Sequence, residues 1–143
     1  MLLPCKPDRA QRDVTMGGQT LALVMQGCNA GGATFAVSHV LVPDTAQAAS
    51  MLALWKTAVL AHVQATDVRE QPFAVPGGWN APQSLRLQAS GRGADGAPVA
   101  MQAAWFARVD ADGVHLFHAA AFSPTAMAMA DAADTFFSSL AVP

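Results

Sequence analysis

The chain has 143 residues, 52% of them hydrophobic and 13% charged, with a formal charge of -2. That length and apolar content suit one domain able to bury a core without a metal or disulfide, and they exclude intrinsic disorder. The eight Lys and Arg are scattered along the chain, which disfavours binding to a phosphate backbone, and no apolar run reaches the roughly 18 residues of a membrane span.

The low charge fraction also suggests that part of the surface is covered by a partner. Ile and Tyr are absent, Lys is limited to Lys6 and Lys56, and Ala dominates. This is the bias of GC-rich bacterial coding, so Ala alone is weak support for a helix.

In chain order, residues 1–12 are polar and carry Pro4 and Pro7, so they read as an N-terminal arm, with residues 13–143 forming a single domain. After a turn at Gly17 and Gly18, Thr20 to Gln26 alternates as a strand with Leu21, Leu23 and Met25 on one side. Gly27 to Gly32 reads as a loop because of its glycines and Asn29. Ala33 to Val42 is a strand that is apolar on both faces: Phe35, Val37, His39 and Leu41 on one, Ala36, Ser38, Val40 and Val42 on the other.

Asp44, with Gln47 three residues on, caps a helix over 44–65. Its apolar stripe is Ala48, Met51, Leu52, Trp55, Val59 and Val63. Arg69 to Val75 reads as a short strand confined to an edge by Pro72, and Pro76 to Pro82 as a loop. Gln83 to Ser90 alternates with Leu85, Leu87 and Ala89 inward. Val99 to Val109 is apolar on both faces and reads as a central strand, and Val114 to Phe122 returns antiparallel to it after the turn at Asp110 to Gly113. Ser123 and Pro124 have the residue types that open a closing helix over 124–138. Two helices covering a sheet greasy on both sides predict an α/β/α sandwich around a mainly antiparallel sheet, with the helices at 44–65 and 124–138 on opposite faces. A helix layer on one face alone is the alternative.

The segment Ala33 to Val40, the helix behind Pro43 and Asp44, the paired hairpins, and the ending with Phe136, Phe137, Ser139 and Leu140 together resemble small, often exported bacterial proteins with the PsbP-like (Mog/PsbP) fold. The resemblance implies that same sandwich, an exported protein and a role in binding or assembly; the N-terminus, which lacks the apolar stretch of a signal peptide, reads as that of a periplasmic or exported protein whose signal has been removed. A cytoplasmic setting is the alternative. Fold kinship does not transmit a reaction.

Candidate sites are few. Cys5 and Cys28 are the only cysteines. Paired, they tie the arm to an early strand for roughly 3 kcal/mol; two unpaired thiols are the alternative. His115 and His118, three apart on a strand, point to opposite faces and cannot chelate one ion together. His39 reads as a core histidine and His62 as a helix C-terminal one. Asp110 and Asp112 read as turn residues, and Asp131 and Asp134 as a solvated helix face. Neither a nucleophile elbow nor a phosphate cradle is present, so no cofactor, metal or catalytic residue is expected. The candidate interaction surface is Trp79 in its Pro/Gly loop, with Arg69, Arg86, Gln88 and Arg92 as a small polar groove. These residues predict a non-catalytic binding or assembly module acting through protein contacts, with a second copy of the chain as one partner. A carrier of a small apolar ligand held between helix and sheet is the alternative, and a hydrolase-type enzyme the least expected.

Overall fold

The computed structural model describes residues 6, 8–16, 18–30, 33–73, 78, 84–93, 95–124 and 136–137. Among the described residues, seven strands form one antiparallel sheet: β1 (Asp8–Met16), β2 (Gln19–Ala30), β3 (Ala33–Val42), β4 (Thr66–Pro72), β5 (Leu85–Arg92), β6 (Pro98–Asp110) and β7 (Gly113–Ser123). Their spatial order is β1-β2-β3-β7-β6-β5-β4. One helix of more than a turn, α1 (Thr45–His62), is present among the described residues. It carries the chain from β3, inside the sheet, to β4 at the far edge.

The predicted α/β/α sandwich is therefore corrected to a β-rich fold in which α1 is the one helix of more than a turn among the described residues. Of the helix expected over 124–138, only Pro124, Phe136 and Phe137 fall within the described residues, and Ser123 belongs to β7. The sheet is nonetheless apolar on both sides, as the sequence of β3, β6 and β7 demands. On one side α1 lays Ala48, Met51, Leu52 and Trp55 over Val40, Trp105 and Leu116. On the other, Phe35, Phe106 and Phe117 pack with the fully buried Phe136 and Phe137.

Two boundaries moved for one reason. Residues 8–12, expected in the arm, begin β1, and Gly27 to Ala30, expected in a loop, continue β2. Asp8 pairs with Gly27 and Cys28 with Phe35, so long neighbours on both sides hold β2 extended through residues with poor strand propensity. The helix prediction stands close to the observed span. Asp44 accepts the Gln47 N–H at 2.8 Å, satisfying a donor that the first turn leaves open. At the tip of the β6–β7 hairpin, Gly113 has φ +134, and a Cβ there would sit 2.5 Å from the Val42 carbonyl oxygen. Only glycine fits both conditions.

Candidate functional site

The pleat of β7 sends its two histidines to opposite sides of the sheet, as their spacing requires. His118 lies under α1, where its ring stacks on Trp105 at 4.4 Å between centroids and tilts against Trp55 at 5.5 Å. Burial pushes its pKa down to about 4, against the opposing effect of a hydrogen bond to the Ala104 backbone. An imidazole kept neutral in this way is a packing element.

His115 faces the other side and meets His39 from β3. His39 Nε2 lies 2.8 Å from His115 Nδ1, the rings nearly parallel at 17°, so the two nitrogens share one proton. His39 also leans on Phe117 at 4.9 Å. Burial holds its pKa below the usual histidine range, helped by His115 and then Arg108.

The chain of polar contacts continues into the hairpin turn. His115 Nε2 is 2.8 Å from Asp110 Oδ2, an ion-pair distance. Asp110 Oδ1 accepts the Asp112 backbone N–H at 2.8 Å, and its Oδ2 lies 3.1 Å from the Arg108 guanidinium. The Asp112 N–H lowers the Asp110 pKa most; burial works against it, while His115 and Arg108 reinforce it. One donor atom from each of Asp110, Asp112 and His115 lies within 4.8 Å of the others. A half-buried, neutral-leaning histidine thus backs a second one that opens onto two exposed carboxylates.

Sequence reasoning placed each of these residues but not their meeting. His39 and His115 are 76 residues apart, and only the β3–β7 pairing, with Leu41 opposite His115 and His39 opposite Phe117, brings them together. The signal that was present is that β3 and β7 are both apolar on two faces, which makes them candidates for adjacent central positions.

The predicted interaction surface is only partly assembled. Arg69 and Gln88 are register partners and exposed. Arg86 shares their side of the sheet but turns inward, donating to Gln102 Oε1 at 2.6 Å with its guanidinium 4.5 Å from the centre of the Phe137 ring. Arg92 stands apart in the β5–β6 hairpin, donating to the Gly96 carbonyl at 2.9 Å. There it borders a cleft of about 560 Å³ with His62, Val63, Val99 and Phe122. Trp79 lies outside the described residues. Cys28 is disulfide-bonded; the chain's other cysteine, Cys5, also lies outside the described residues.

No protein-family model, curated protein or solved structure matches this chain.

Proposed function

We propose that the chain is a non-catalytic binding module that works through protein contact at the outer edge of β1, and that its partner there is a second copy of itself. The observation that carries this reading is the unequal treatment of the two sheet edges. β4 is guarded: its register breaks between Thr66 and Arg69, Asp67 sits at φ 54, and Pro72 ends the strand. Such bulges and prolines are how proteins prevent strand addition. β1 has none of this. It runs nine residues in unbroken register with β2, and no strand among the described residues covers its other side.

The charges on β1 favour a two-fold partner. Asp8, Arg9, Arg12 and Asp13 read nearly the same in both directions. Antiparallel pairing about Ala10 sets each Asp8 opposite the other copy's Arg12, and pairing about Gln11 sets each Arg9 opposite Asp13. A two-fold interface of this kind is self-complementary by symmetry. The disulfide at Cys28 supports an exported, oxidising setting. No described helix is long and apolar enough to cross a membrane.

Light scattering across a concentration series tests the reading. The wild-type chain should form dimers. Arg9→Glu with Arg12→Glu should yield monomers, and adding Asp8→Arg and Asp13→Arg should restore the dimer. A wild-type monomer at every concentration, or a dimer indifferent to these charges, overturns it.

The cleft bordered by Arg92 and Phe122 favours one second reading, a carrier of a small apolar ligand with an anionic end; its volume falls within the ordinary range of ligand sites. Long-chain carboxylates bound with one-to-one stoichiometry, and weakened by Arg92→Gln, would support that reading.

A further inference from the structure

We propose that Asp110, Asp112 and His115 form a binding site for a divalent transition-metal ion of the zinc class, with His39 as the group that orients His115. The donor set is one imidazole nitrogen and two carboxylates, which suits zinc and its neighbours better than the hard, all-oxygen preference of calcium or magnesium. The three donors already converge within 4.8 Å. Asp110 and Asp112 stand at an exposed hairpin tip, where small side-chain rotations bring both carboxylates to an ion near His115.

The geometry around His115 supplies an independent argument. Its Nε2 is enclosed by protein, 2.8 Å from Asp110 Oδ2, yet makes no directed hydrogen bond among the described residues. A ring nitrogen and a carboxylate oxygen at that distance are close enough to share one ion. Behind it, His39 Nε2 lies 2.8 Å from His115 Nδ1. Histidines that bind metals commonly donate their other N–H to a fixed acceptor, which sets the tautomer and leaves the coordinating lone pair forward. With His115 Nδ1–H donating to His39 Nε2, a neutral His115 would present its Nε2 lone pair to the ion.

The turn is built to hold this arrangement. The Asp112 N–H fixes Asp110 through Oδ1, and Gly113 presses the hairpin against the Val42 carbonyl. Arg108 neutralises part of the Asp110 charge from the side, so the ion completes the compensation of two carboxylates. The site lies on the β6–β7 hairpin and does not depend on the β1 edge.

The experiment is calorimetric titration of the full chain with zinc chloride in a non-chelating buffer, joined to visible absorption of the cobalt-substituted protein. One ion should bind per chain. His115→Gln should weaken binding by more than about 100-fold and Asp112→Asn by about 10-fold or more; His39→Gln should weaken it by about 10- to 100-fold while leaving stoichiometry at one. His62→Gln and His118→Phe should leave affinity unchanged. Asp112 is exposed, so its variant keeps the proposal falsifiable if changes at His115 disturb folding. Absence of stoichiometric zinc binding overturns the site, as does affinity indifferent to Asp112 and His39 or affinity lost with His62.

Discussion

His118 and His115 stand three residues apart on one strand and share almost nothing else. His118 is sealed between two tryptophans beneath α1, and its charge has been removed by dryness. His115 is joined to a second histidine and to the carboxylates of a turn. The contrast shows that the role of a histidine here is set by the face it is given and by what the neighbouring strands bring to that face. One face uses imidazole as a flat packing surface; the other sets it among polar and charged groups.

The contrast breaks most completely if the dry side is opened. Trp105 has no exposed surface, and Trp105→Ala should cost about 3–5 kcal/mol in denaturant unfolding. A milder break is acid. The unfolded chain protonates His118 near the ordinary 6.5, while the folded chain resists until about 4. Stability is therefore complete above pH 6.5, falls as pH drops through that window, and levels off near 4, a loss of about 3 kcal/mol at ~1.4 kcal/mol per unit. In His118→Phe the midpoint of urea unfolding should vary much less across the window; an unchanged dependence would reject the neutral, sealed imidazole.

Smaller changes sharpen the other side. Gly113→Ala should cost roughly 1–3 kcal/mol, because the substituted residue must hold a positive φ and displace the Val42 carbonyl; thermal unfolding reads this directly. At the near end of α1, Asp44→Ala should cost about 1 kcal/mol through the lost cap. Least of all is the partly exposed surface pair of Lys56 with Glu70, where Lys56→Ala should change stability by less than about 1 kcal/mol.

What could be read from the chain and what could not divide along physical lines. α1 was legible because its signals are local: a cap at Asp44 and a stripe of Ala48, Met51, Leu52 and Trp55 at helical spacing. β6 and β7 were legible because two-faced apolarity leaves little choice but the middle of a sheet. β1 was not legible, since Asp8, Arg9, Arg12 and Asp13 form a strand only because β2 offers a partner. Gly27 to Ala30 hid the end of β2 for the same reason. The sandwich was inferred by giving a helix to each apolar face, whereas the face opposite α1 is met, among the described residues, by Phe136 and Phe137. Alternation assigned His39 and His115 to faces, but nothing local states that β3 and β7 are neighbours, and the candidate site exists only through that pairing.

That adjacency governs how the molecule is made. A ribosome releases β3 long before β7, and α1 leads the chain away to the opposite margin before a meander brings it back. Until β7 arrives, β3 keeps an unsatisfied backbone edge in the middle of the future sheet. Closing a gap across so much chain is a slow, non-local event that leaves an intermediate prone to stick to its neighbours. β7 is the keystone of the sheet, and a nascent chain stalled before residue 113 would be open to capture by chaperones.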